Sequence, residues 1–385
     1  MNPVYASLPT TVFEVMSQLA REYDAINLGQ GFPDDPGPED VRRKAAEVVL
    51  EGYNQYPSMM GLPELREAIA RHYAHWHGLK LDPQTEVMVT SGATEAVASS
   101  LFGLIEPGDE VVVFAPAYDA YLPLVRRAGG ILRIVRLQPP DWRLTEEALR
   151  AVFNSKTKLV VFNSPQNPAA VVYPREDLDL LARFCQKFDA LAVCDEVWEH
   201  VIFDGRAHIP LITLPGMRDR TVKIGSAGKI FSLTGWKVGF VCAAPPILRV
   251  LAKAHQFLTF TTPPNLQAAV AYGLGKTDDY FSGMRAELTR SRDRLASGLS
   301  SIGFPVLQSQ GTYFLNVDLA PLGLNETDEA FCRRLVVEHK VAAIPVSALY
   351  ESDPVTSVVR FCFAKRDSTI DGALERLSHV VSGGR

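Results

Sequence analysis

Apolar residues recur at helical spacing in two stretches near the amino terminus. Across Thr10 to Asp24, the residues Val12, Val15, Met16, Leu19 and Ala20 fall on one face, and Thr11 with Glu14 has capping-box spacing, so the pattern predicts a helix. Pro63 to His77 predicts another. Between them, Ile26 to Pro38 is broken by Gly29, Gly31, Pro33, Pro36 and Pro38 and reads as a loop. The middle of the chain then repeats one pattern, a short apolar run followed by small or polar residues and a helix-period segment. The runs are Glu86 to Thr90, Glu110 to Phe114, Lys158 to Phe162, Leu191 to Cys194, Thr221 to Ile224 and Val238 to Cys242. Such alternation predicts an α/β fold, and runs that are apolar on both faces predict a mostly parallel sheet covered by helices. Beyond Tyr280 the pattern changes to a long charged helix, Tyr280 to Leu299. Alternating strand-like pieces follow at Thr312 to Val317, Val341 to Pro345 and Val358 to Phe363. The expected organisation is a large domain over residues 45–280 and a smaller α+β domain from residues 1–44 and 281–385.

Composition narrows the function class. The 385 residues carry 39 Lys and Arg against 44 Asp and Glu, a formal charge of -5, without the basic excess that a phosphate backbone requires. Nucleic acid is therefore not an expected partner. The longest stretch free of Asp, Glu, Lys and Arg, around His255 to Gly275, contains Gln, Asn and Thr and the Pro263-Pro264 pair, so no membrane span is expected. Glu14 interrupts the only candidate for a secretory signal, and the expected location is cytoplasmic. The five cysteines, Cys185, Cys194, Cys242, Cys332 and Cys362, have no CxxC spacing and read as buried thiols. His72, His75 and His77 share one helix without a nearby acidic or thiol partner in sequence, which predicts a solvated or interface helix and no metal site.

Ligands of open α/β sheets bind beyond the carboxyl ends of the strands, so the residues that follow each run are the candidates for chemistry. Ser91-Gly92-Ala93-Thr94 opens a helix whose backbone N–H groups suit a phosphate. Tyr118 follows the second run, and Asn163-Ser164-Pro165-Gln166-Asn167-Pro168 forms a turn after the third. Asp195 closes the fourth, and Ser226-Ala227-Gly228-Lys229 follows the fifth, with Lys237 shortly after. A phosphate cradle, a flat ring, an amide, an acid and a lysine on one sheet edge suit a phosphorylated pyridine aldehyde, and pyridoxal 5'-phosphate fits that set.

The block from Ser226 to Gly239, Ser-Ala-Gly-Lys-Ile-Phe-Ser-Leu-Thr-Gly-Trp-Lys-Val-Gly, closely resembles the lysine signature of class I aminotransferases among fold type I pyridoxal phosphate enzymes. The resemblance extends to Gln30-Gly31-Phe32-Pro33-Asp34, Asn54-Gln55-Tyr56-Pro57, Thr90 to Ala96, Asp195-Glu196-Val197, Gly311-Thr312-Tyr313-Phe314 and Ala343 to Ser347, nearly the whole chain. Its blocks look most like the kynurenine aminotransferase, glutamine transaminase and methionine aminotransferase branch. The resemblance implies that Lys229 is the Schiff-base lysine and proton shuttle and that Asp195 pairs with the pyridine nitrogen. Asn167 would bond the ring 3'-oxygen, and Tyr118 would stack on the ring. Gly92, Ala93 and Thr94, with Ser226 and Lys237, would hold the phosphate. Tyr56 would reach the cofactor of a neighbouring subunit, which implies a homodimer with shared sites. Arg360 would grip the substrate α-carboxylate, near Gly31 and Asn167, and a guanidinium suits that task through its two-bond fork.

Three positions depart from the family pattern. Trp198 stands where a tyrosine is usual, which removes a hydroxyl expected at the ring 3'-oxygen. Gln166 replaces a histidine, and Ala169-Ala170 replaces Thr-Gly in the turn after Asn167. The implied reaction is transamination between a neutral, sulfur-containing or aromatic α-amino acid and a 2-oxo acid. A carbon–sulfur β-lyase shares the early steps and is the alternative. A non-catalytic amino-acid-binding protein is disfavoured because Lys229, Asp195 and Arg360 are all intact.

Overall fold

The computed structural model describes residues 1–382. Among them are twelve strands: β1 (Ile26–Asn27), β2 (Val87–Thr90), β3 (Glu110–Ala115), β4 (Ile131–Arg136), β5 (Thr157–Asn163), β6 (Leu191–Asp195), β7 (Thr221–Ser226), β8 (Gly239–Cys242), β9 (Phe314–Asp318), β10 (Val341–Ala342), β11 (Ile344–Pro345) and β12 (Val358–Cys362). Seven form one sheet in the order β2-β8-β7-β6-β5-β3-β4. Every neighbouring pair in it is parallel except those of β8, which runs antiparallel to both β2 and β7. The expected mixed α/β fold with a mostly parallel sheet is the one observed.

Each of the six apolar runs is a strand of this sheet. Alternate residues of the same strands enter different cores, with Val111, Val161 and Val193 in one and Val112, Val160 and Ala192 in another. Both faces are therefore dry, which is why these strands read as continuous apolar runs. The seventh strand, β4, escaped the pattern because it lies at the sheet edge and buries only Val135, with Ile131, Arg133 and Arg136 exposed.

The Pro63–His77 helix has the expected bounds, and the N-terminal helix runs Val12–Glu22, with Thr11 Oγ1 accepting from Glu14 N at 3.3 Å. The long charged helix spans Asp278–Ser301. The stretch read as a loop contains β1, which pairs in parallel with β10 and so joins the amino terminus to the C-terminal part of the chain. An unforeseen helix, Glu39–Glu51, buries only Val41 and Ala45 and is otherwise polar. In the C-terminal part, β11, β12 and β9 form a three-stranded antiparallel sheet. All five cysteines are free and buried. No described helix is long and apolar enough to cross a membrane.

The histidine helix corrects one expectation. Only His75 faces outward, to Asp278, while His72 is buried and the His77 side chain is only 7% exposed. They belong to a polar cluster centred on Lys223, whose Nζ lies 2.7 Å from Glu199 Oε2 and 3.4 Å from Glu196 Oε2. Tyr73 donates to Glu199 Oε1 at 3.1 Å, His77 Nε2 meets Glu199 Oε2 at 3.1 Å and His208 Nε2 meets Glu196 Oε2 at 3.2 Å. His72 and His200 share a ring nitrogen contact of 2.7 Å. The helix is packed on this side because its partners come from distant parts of the chain.

Candidate active site

Six strands of the large sheet end at one edge, and the reversal of β8 brings its first residue to that same edge. The register pairs Thr90 with Gly239, Ser226 with Gly239 and Asn163 with Asp195. A cavity of about 220 Å³ lies there, lined by Gly92, Ala93, Thr94, Tyr118, Asn167, Asp195, Trp198, Ser226, Lys229 and Lys237 among others. Ten of the residues singled out in the sequence are thus gathered in one place.

The phosphate end depends on two glycines. Gly92 precedes the helix Ala93–Leu104 at φ 81, and a Cβ there would stand 3.1 Å from Lys237 Cε. A Cβ on Gly239 would stand 2.5 Å from the Gly92 carbonyl carbon. Bare backbone at both positions lets the helix start and Lys237 approach one another, an arrangement that suits an anionic group.

Lys229 sits in the short helix Ala227–Ile230, and its Nζ donates to the Tyr313 hydroxyl at 2.9 Å. Burial lowers the amine to about 8, so a larger fraction is neutral near pH 7 than for an exposed lysine. Asp195 is also buried, which raises its pKa, while the Tyr121 hydroxyl opposes that rise by donating to Oδ2 at 2.6 Å. Asn163 ties the neighbouring turn down, donating to the Asp195 carbonyl at 2.8 Å and accepting from Asn167 N at 2.7 Å. A buried amine, a buried acid and a cationic cradle around one ring-sized space fit pyridoxal phosphate.

Arg360, in β12, is 1% exposed and donates from Nη1 to Asn167 Oδ1 at 2.7 Å and from Nη2 to the Gly29 carbonyl at 3.0 Å. Its buried Nε has no partner, and no acidic side chain pairs with it among the described residues. Burial lowers the guanidinium to about 10, outweighing the opposing influence of Cys362, Tyr313 and Asp119. The rings of Phe314 and Phe13 lie 3.8 and 5.2 Å from it. The Gly31 carbonyl accepts from Tyr313 at 2.5 Å. Tyr56 does not line this cavity; its side chain is 81% exposed and meets Phe260 edge-on at 5.6 Å.

The departures acquire structural accounts. Trp198 packs edge-on against Tyr313 with centroids 4.4 Å apart, and Lys229 Nζ lies 4.6 Å above its ring. Gln166 staples its own turn, donating to the Pro116 carbonyl at 2.6 Å and accepting from Ala169 N at 2.7 Å. Ala170 occupies the usual glycine position at φ 60, a left-handed conformation costing a non-glycine residue roughly 1 to 2 kcal/mol. Its backbone is held there by bonds from Gln310 N at 2.8 Å and Gly311 N at 3.1 Å to its carbonyl. Tyr121, Asn163 and Tyr313 were given no role from sequence, although Tyr121 follows Tyr118 by three residues and Tyr313 lies in a quoted block.

Comparison with known proteins agrees with this geometry. Residues 23–377 match the family model described as aminotransferase class I and II. The chain is 42% identical over 380 residues to a probable N-succinyldiaminopimelate aminotransferase of Mycobacterium tuberculosis, covering 96% of each. A solved structure of the M. tuberculosis N-succinyldiaminopimelate aminotransferase superimposes with a TM-score of 0.96 at 41% identity, over 99% of this chain and 100% of that one. The methionine aminotransferase of Escherichia coli is 38% identical over 374 residues, 97% of this chain and 96% of that protein. Rat kynurenine–oxoglutarate transaminase 3 is 36% identical over 397 residues, 96% of this chain and 87% of that protein. With family model, relatives and site in agreement over nearly its whole length, the chain belongs to the class I and II aminotransferases and is a pyridoxal phosphate-dependent enzyme.

Proposed function

We propose that this enzyme moves the amino group between a neutral, sulfur-containing or aromatic α-amino acid and a 2-oxo acid. The carrying observation is Arg360, a buried guanidinium with an unpartnered Nε and aromatic rings around it, joined through Asn167 to the cavity that holds Lys229. A carboxylate completes such an arginine, and Phe13, Phe314 and Trp198 suit an apolar side chain beside it.

Bound pyridoxal phosphate supplies a lysine-reactive aldehyde and a pyridine ring that withdraws electrons from the substrate α-carbon. Around it, Gly92, Ala93, Thr94, Ser226 and Lys237 would hold the phosphate, and Asp195 would keep the ring nitrogen protonated. Tyr118 and Trp198 would flank the ring and Asn167 would orient it. Lys229, depressed by burial and therefore partly neutral, would take the α-proton and return it elsewhere. Residues 45–280 are assigned to the cofactor-binding domain, and 1–44 with 281–385 to the smaller domain that supplies Arg360. Tyr53, Tyr56 and Phe257, all largely exposed, support a homodimer in which Tyr56 reaches the second site. A cytoplasmic location goes with these free thiols.

A second reading of the substrate rests on the 42% identity to the M. tuberculosis protein and takes N-succinyldiaminopimelate as the donor. Half-reaction spectra with methionine, phenylalanine, kynurenine and N-succinyldiaminopimelate separate the two readings. Conversion by the last alone would overturn the neutral or aromatic class. Pyruvate and ammonia released from a cysteine conjugate without an oxo acid would point to β-lyase activity.

Arg360→Ala is expected to weaken binding of α-amino acids relative to the corresponding amines by roughly 2 to 5 kcal/mol, as for a truncated buried charged pair. Equal losses for both classes would remove Arg360 from the carboxylate site. Tyr121→Phe deletes a hydrogen bond that favours ionised Asp195, so the acid limb of the kcat profile is expected to move to higher pH. A loss of about 1.5 to 3 kcal/mol in that bond corresponds to a shift of roughly 1 to 2 pH units. An unmoved limb would show that Tyr121 does not tune Asp195.

A further inference from the structure

Tyr313 is 1% exposed, and its ring is clamped edge-on by Trp198 and Phe314, with centroids 4.4 and 5.1 Å away. Its hydroxyl has two neighbours of different kind. It donates to the Gly31 carbonyl at 2.5 Å and accepts from Lys229 Nζ at 2.9 Å. A phenol carries one proton, and a carbonyl can only accept it. With that proton committed to Gly31, the oxygen can present only a lone pair to the lysine. Burial raises the Tyr313 pKa well above its ordinary value, so the group remains a neutral phenol.

We propose that Tyr313 is a positioning residue for Lys229, accepting one of its N–H bonds and thereby fixing where the lone pair of the amine points. A neutral primary amine has two N–H bonds and one lone pair. Holding one N–H on Tyr313, with the Trp198 face 4.6 Å from Nζ, removes most of the rotation about the terminal C–N bond. Proton transfer depends on such alignment.

The anchor of Tyr313 connects this device to the substrate end. Arg360 holds the carbonyl of Gly29 at 3.0 Å, and Lys365 holds that of Phe32 at 3.0 Å. A Cβ on Gly31 would stand 2.8 Å from Phe314 Cζ, so this backbone is seated tightly between them. One short stretch, Gly29 to Phe32, thus joins the arginine assigned to the carboxylate and the tyrosine that aims the amine.

The inference rests on Lys229 being the reacting amine, and borohydride mapping tests that assignment separately: an adduct on another lysine would defeat the assignment itself. Tyr313→Phe keeps the ring and removes the oxygen. In the full chain freed of cofactor, the pH dependence of Lys229 acetylation by trace acetic anhydride, followed by mass spectrometry, is expected to have its midpoint below the natural value of about 8, because an acceptor of N–H bonds favours the ammonium form. In the loaded enzyme, kcat with the fastest amino donor of the panel is expected to fall roughly 10- to 100-fold while KM changes far less. The isotope effect with the α-deuterated donor should increase. In a Lys229→Ala background rescued by methylamine, adding Tyr313→Phe should change the rescued rate by no more than about 2-fold, since nothing remains to be aimed. An unmoved acetylation midpoint, or an equal loss in both backgrounds, would reduce Tyr313 to core packing. Should the phenylalanine variant fail to fold, 3-fluorotyrosine at position 313 keeps the shape and weakens the acceptor. A smaller midpoint shift in the same direction is then expected, and none would overturn the proposal.

Discussion

Lys229→Ala is expected to lower kcat by about 10⁴-fold or more, the largest effect of any single substitution in this chain. Two contributions disappear together. In the proposed reaction the amine is the covalent anchor for the cofactor aldehyde, and its side chain lines the cavity with Asp195 while its Nζ donates to Tyr313. Borohydride should fix the cofactor to Lys229 in the natural chain and yield no adduct in the variant. Methylamine should restore part of the rate, because a small primary amine can enter the space left by the side chain. A variant that retained more than about a hundredth of the natural rate without added amine would contradict the role given to Lys229.

Lys223→Met is expected to destabilise the fold by about 3 to 5 kcal/mol, with no direct contact to the cofactor cavity. Burial alone would raise the Glu199 pKa, yet Lys223 and His77 outweigh it and hold the carboxyl well below its ordinary range. Glu196 is lowered against the same burial by Lys223 and His208. Methionine fills the volume and leaves both carboxylates without their lysine. Groups with depressed folded pKa values contribute stability that is present above their unfolded pKa and lost as pH falls through the folded one. The penalty of Lys223→Met should therefore be larger at pH 8 than at pH 5, where protonation can neutralise the stranded acids. Denaturant unfolding at the two pH values measures this, and adding Glu199→Gln should recover part of the loss. Equal penalties at both pH values, with no recovery, would mean that Lys223 matters through its packing over the Tyr73 ring, 4.1 Å away.

The same cluster marks the limit of what the sequence discloses. Strands buried on both faces write their apolar character in consecutive residues, so six of the seven in the large sheet are legible, and β4 is hidden by its wet edge. The Glu39–Glu51 helix has too narrow an apolar face to stand out. Lys229, Asp195, Asn167 and the Gly92 turn are legible because each lies at the carboxyl end of a strand or within four residues of it. Tyr121 and Tyr313 are not, since their partners lie 74 and 84 residues away and only the folded chain puts them together. The histidines mislead for the same reason: His72 meets His200 across 128 residues, and His77 meets Glu199 across 122.

The reversal of β8 has a consequence for how such an enzyme can diversify. Because β7 ends and β8 begins at one edge, residues 227–238 leave the sheet and return to it beside their point of departure, carrying Lys229 and Lys237 on one closed span. An insertion there would displace both lysines together, whereas Phe13, Phe314 and Arg360 come from other parts of the chain. New side-chain preferences can therefore accumulate by point changes outside the span while its length stays fixed, and a library built to alter specificity should leave residues 227–238 untouched.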